Sequence, residues 1–70
     1  MKLKEARTRQ FFTVRRLATV SGVSPATIHA VETGKTVPTL TTAYKIAQAL
    51  DVDPNEIDEF RAAVERSLGA

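Results

Sequence analysis

An all-α domain of five short helices is what this sequence predicts, from two features of its residue order. Turn-forming pairs (Ser21-Gly22, Ser24-Pro25, Thr33-Gly34, Val37-Pro38 and Asp53-Pro54) cut the chain into short pieces. Between them the apolar residues recur every three to four positions rather than every second one, which is helical spacing.

The first helix is expected from about Lys2 to Gln10, with Leu3, Ala6 and Gln10 on one side. The second follows Thr13 as N-cap, presents Val14, Leu17 and Ala18, and stops at Ser21-Gly22. The third takes Ser24 as N-cap and Pro25 at the first helical position, where a missing N–H costs nothing. Ile28 and Val31 face inward, and Gly34 stands where a left-handed residue ends the helix. The fourth starts at Thr39 and is expected to bury Leu40, Ala43, Tyr44, Ala47 and Leu50. The fifth opens on Asp53-Pro54-Asn55-Glu56, a capping-box-like start, and runs over about 54–68 with a stripe of Ile57, Phe60, Val64 and Leu68.

Composition narrows the function. At 70 residues, with 43% hydrophobic and 26% charged, the chain reads as one globular domain over 1–70, its core within 3–60. A chain this short buries only about 60% of its unfolded surface and gains from a partner subunit. It has no room for a deep, walled active site. Cys is absent and His29 is the only histidine, so neither a thiolate nor a multi-His metal site is available, and no cofactor is expected. Asp58 and Glu59 are neighbours on a helix and point apart, which argues against a carboxylate pair. With no nucleophile–base pair and no phosphate-cradling glycine loop, an enzyme is not expected. No run suits a membrane span or a secretory signal, and a cytoplasmic location is expected.

Charge is unevenly placed. Residues 1–35 carry Lys2, Lys4, Arg7, Arg9, Arg15, Arg16 and Lys35 against Glu5 and Glu32, a net +5. Residues 36–70 carry Lys45, Arg61 and Arg66 against Asp51, Asp53, Glu56, Asp58, Glu59 and Glu65, a net −3. Such a division suits one side turned to a polyanion and one turned away, and it also suits solvated faces that happen to segregate.

The second and third helices meet through Ser21-Gly22-Val23, a short glycine-containing turn of the helix-turn-helix kind, whose second helix enters the DNA major groove. The surrounding residues sharpen this. Leu17-Ala18, Ser21-Gly22-Val23-Ser24, Thr27-Ile28, Val31-Glu32, Gly34-Lys35, Pro38-Thr39-Leu40 and Ile46-Ala47-Gln48-Ala49-Leu50 together resemble the phage repressor and Cro-like (XRE) helix-turn-helix family, over roughly residues 3 to 60.

The resemblance implies a lambda-repressor-like fold and double-stranded DNA as partner. It places base contacts on the first turn and outer face of the third helix, at Ser24, Pro25, Ala26, Thr27, His29 and Ala30. Pro25, Ala26 and Ala30 offer only methyl or ring contact, suited to thymine methyls, and an exposed Ala is equally a good helix former. His29 stands either as a base or phosphate contact or as a solvated surface histidine. Phosphate contacts are implied for Thr13, Arg15, Arg16, Thr33, Lys35 and Thr36, with Thr39 and Thr41 weaker; Thr39 is a cap first. Arg7 and Glu32 match a structural ion pair that fixes the recognition helix.

The sequence departs from the family in three places. Thr13-Val14 stands where many relatives have Ser-Gln, and Thr33 where Asn is frequent. Phe11-Phe12 stands where many have Gly after the first helix; Phe12 is expected in a core leucine position, while Phe11 either fills an irregular turn or stays exposed. Phe60, Val64 and Leu68 on the last helix are candidates for a homodimer contact, against a fold-back onto the first helix or a frayed tail. The function expected is a sequence-specific transcriptional repressor binding a two-fold operator as a dimer. The alternative is a protein-binding adaptor or antitoxin-type partner on the same fold.

Overall fold

The computed structural model describes residues 1–69. Five helices follow in order: α1 (Leu3–Arg9), α2 (Val14–Ser21), α3 (Pro25–Glu32), α4 (Leu40–Leu50) and α5 (Asp58–Gly69), with a single 3₁₀ turn, Pro54–Glu56, before the last. Among the described residues there is no strand.

The helix starts are local chemistry. The hydroxyls of Thr13, Ser24 and Thr39 accept the N–H groups of Arg16, Thr27 and Thr42 at 3.0, 3.2 and 3.2 Å. Each thus satisfies one orphan donor of its helix. α1 lacks such a residue at Lys2. Its cap comes from the far end of the chain, where Glu59 Oε1 accepts the Leu3 N–H at 2.8 Å. Next to it the Asp58 N–H donates to the Met1 carbonyl at 2.8 Å, so the starts of α1 and α5 are laced together.

Three helix ends close alike. The N–H of Phe12 reaches the Arg7 carbonyl, that of Lys35 the Ala30 carbonyl and that of Val52 the Ala47 carbonyl, at 3.1, 2.9 and 3.0 Å. This six-residue closure requires a left-handed residue at its penultimate position. Gly34 fills that place with φ 76°, as expected, but Phe11 (φ 61°) and Asp51 (φ 56°) fill the other two. A side chain there costs about 1 kcal/mol relative to glycine, more for a bulky residue than for Asp.

The core is formed by Leu3, Leu17, Ile28, Val31, Ile46, Leu50, Ile57 and Phe60, all fully buried. α2 packs on α3 and α4, and α4 packs on α5. Two expectations are corrected here. α4 buries Ala43, Ile46, Ala47 and Leu50, while Leu40 is 46% and Tyr44 57% exposed. At about 100° per residue, Tyr44 lies roughly 110° and Leu40 roughly 70° from the centre of that stripe, off the contact with α2 and α5.

The last helix also starts later than expected. The Asp53 carboxylate accepts the Asn55 N–H at 2.9 Å and caps a 3₁₀ turn closed by the Glu56 N–H on the Asp53 carbonyl at 2.9 Å, after which Ile57 is extended (φ −99°, ψ 118°). That break drops the Ile57 side chain into the core, so only Phe60, Val64 and Leu68 of the stripe lie on α5. The helix continues through Gly69. No helix among the described residues is long and apolar enough to cross a membrane.

Candidate nucleic-acid interface

α2 and α3 are fixed against each other through Leu17, Ala18, Val23, Ile28 and Val31, all buried, with Gly22 left-handed (φ 77°) at the turn. What remains free is the other side of α3. Ser24, Pro25, Ala26 and His29 are exposed there, and Thr27 and Ala30 half-buried.

The polar groups on this face are partly committed. The Ser24 hydroxyl caps Thr27 and also lies 2.8 Å from the Thr27 hydroxyl, so the two satisfy one another. The Thr33 hydroxyl donates back to the His29 carbonyl at 2.9 Å. Each of these oxygens retains acceptor capacity, but the imidazole of His29 is the one exposed side chain of α3 able to reach outward with a hydrogen bond.

Exposed cations stand before and after α3 in the chain. Arg15 and Arg16 rise from the first turn of α2, and Lys35 and Thr36 follow α3 in an exposed loop. Among the described residues Arg15, Arg16 and Lys35 enter no ion pair, whereas Arg9 is held by Glu5 at 2.9 Å. The Arg16 guanidinium stands 5.5 Å from the centroid of the Phe12 ring, over its face. Phe12 is half-buried against the core, as expected of a residue in a leucine position. The Thr13 hydroxyl accepts from the Arg16 N–H and keeps its own proton to donate. Thr39 is a cap for α4, its hydroxyl also bonded to Thr42 at 3.0 Å.

Arg7 and Glu32 are brought together as expected, through bonds of 2.7 Å from Nε to Oε2 and 3.1 Å from Nη2 to Oε1. Sequence reasoning missed a third bond, from Arg7 Nη1 to the Phe12 carbonyl at 2.9 Å. One guanidinium therefore holds the end of α3 and the α1–α2 turn together. The penultimate position of a helix-closing turn was the signal that could have placed Phe11, whose side chain is 92% exposed.

The residues expected at a dimer contact separate. Phe60 is fully buried in its own domain and has no surface to offer, which corrects its assignment. Val64 is half-buried and Leu68 is 82% exposed, so Leu68 does not fold back onto α1. Sequence reasoning missed their neighbours. Leu40 and Tyr44 of α4 line one groove with Val64, and Val37 and Leu40 line another with Ala63 and Arg66.

Comparison with known families agrees with this geometry. The helix-turn-helix family model matches residues 3–57, and the chain belongs to that family. It is a DNA-binding domain of the transcription-regulating XRE type. No curated protein and no solved structure matches the chain at a significant level.

Proposed function

We propose that this chain is a sequence-specific repressor that binds a two-fold operator as a homodimer, with α3 in the major groove. The observation that carries this reading is the free outer face of α3 together with exposed Arg15, Arg16 and Lys35, which have no acidic partner among the described residues. Those cations and the start of α2 at Thr13 contact phosphates; Ser24, Pro25, Ala26, Thr27, His29 and Ala30 face the bases, with Thr33 and Thr36 beside the backbone. The face is short of hydrogen-bonding groups, so direct readout is modest. Discrimination then comes from DNA shape and from summing two half-sites about 34 Å apart. The second copy covers the apolar surface of Leu40, Tyr44, Val64 and Leu68, which leaves the basic half of each protomer free for DNA in the cytoplasm.

Fluorescence anisotropy of a labelled duplex tests the reading. Three cations per protomer, six per dimer, predict a fall in affinity of roughly 10³-fold between 50 and 200 mM salt. Flat anisotropy at low salt would remove the repressor reading and favour the protein-binding adaptor, in which the alanine-rich face of α3 meets a protein.

A further inference from the structure

Phe11 presents an aromatic ring to solvent from a backbone conformation that its side chain disfavours. Neither feature is offset within the domain. The ring is 92% exposed and joins no core cluster, and a glycine would complete the same turn without the conformational cost. The backbone of the segment is nevertheless hydrogen-bonded on both sides of Phe11. The Phe11 N–H donates to the Thr8 carbonyl at 3.0 Å, and the Phe12 N–H to the Arg7 carbonyl at 3.1 Å. Arg7 also holds the Phe12 carbonyl at 2.9 Å. The hydrogen-bonded turn thus sets where the side chain leaves the backbone, two residues before Thr13.

Resting on the DNA reading above, we propose that Phe11 is a DNA-contacting residue that packs its ring on the deoxyribose of the strand whose phosphate meets the start of α2. Two residues of chain span at most about 7 Å, so Phe11 stays beside that phosphate. The surface next to that phosphate is the deoxyribose of the same strand. A benzyl side chain has nothing to offer a phosphate oxygen, and the apolar surface within its reach is sugar. The strained conformation is then the means by which an apolar contact is added beside an electrostatic one.

The test uses the full chain with Phe11→Gly and Phe11→Asn, both of which accept a left-handed backbone, and a mixed-sequence duplex followed by anisotropy across salt concentrations. Both variants should keep or raise the thermal midpoint, and both should lose about 10-fold in affinity. The slope of log affinity against log salt should not change, since no cation is lost. Affinity equal to wild type overturns the proposal while leaving the DNA reading intact. A lowered midpoint in both variants, or a reduced salt slope, would assign the residue a structural or electrostatic role instead and also overturns it. A wild-type chain that fails to bind removes both readings together. A change of sedimentation coefficient in Phe11→Gly without DNA would place the ring against a second copy, which is likewise fatal.

Discussion

The guanidinium of Arg7 meets the carboxylate of Glu32 with two near-parallel bonds, and only 10% and 8% of the two side chains reach solvent. A bidentate pair this deeply placed has a particular energetic signature. Its net gain over an apolar pair is small, because both charges lose their water, but removal of one partner leaves the other uncompensated.

Arg7→Ala is therefore expected to lower stability by about 3 kcal/mol, read by urea or thermal unfolding. Affinity for DNA, measured where the variant is still folded, should change far less. Retained thermal stability with binding lost would mean that Arg7 serves the nucleic acid and not the fold.

Glu59→Gln should cost about 1 kcal/mol, because a charge-assisted bond to the Leu3 N–H becomes a neutral one at the unprotected start of α1. Urea midpoints check this. Amide exchange of Leu3 faster than in wild type would accompany the loss; no change in either would show that water serves the cap equally well.

Lys35→Ala separates charge from fold. The side chain is exposed and unpaired among the described residues, so the thermal midpoint should stay put. The salt slope of DNA binding should fall by about 2 for a dimer, one per protomer. An unchanged slope would exclude Lys35 from the phosphate contacts.

Leu68→Asp should turn a dimer into a monomer in sedimentation velocity, with weaker binding to a two-site duplex and little effect on a single protomer's fold, since Leu68 is 82% exposed. A wild-type chain already monomeric at high concentration would end the two-fold operator scheme.

Much of this architecture was legible because it is written locally. Thr13, Ser24 and Thr39 announce helix starts within four residues of themselves, and Gly22 and Gly34 announce turns. The Arg7–Glu32 pair was legible through family resemblance, being 25 residues apart and beyond any local rule. The face of α4 was not, because Leu40 and Tyr44 match the apolar pattern and only packing against α2 and α5 decides which edge of it is covered. Ile57 was misplaced for a similar reason. Its capping signal is real, yet the core takes the side chain by breaking the helix. The candidate DNA residues could be placed by sequence on the outer face of α3, but not the mutual bonding of Ser24 and Thr27, which depends on rotamers. For Phe11 the signal was its position, where relatives have Gly; its residue type pointed the other way, since phenylalanine disfavours the left-handed backbone it adopts.

The lacing of Leu3 to Glu59 and of Met1 to Asp58 spans 56 and 57 residues. On a ribosome residues 1–3 must wait for residues 58 and 59 before the opening turn of α1 is closed. Helices α2 to α4 can dock beforehand from neighbouring sequence, but the seam between the two ends comes late, when residue 59 clears the exit tunnel. Nascent chains halted before residue 59 is free would display an unfinished first helix, so the seam between α1 and α5 is the step that seals the domain.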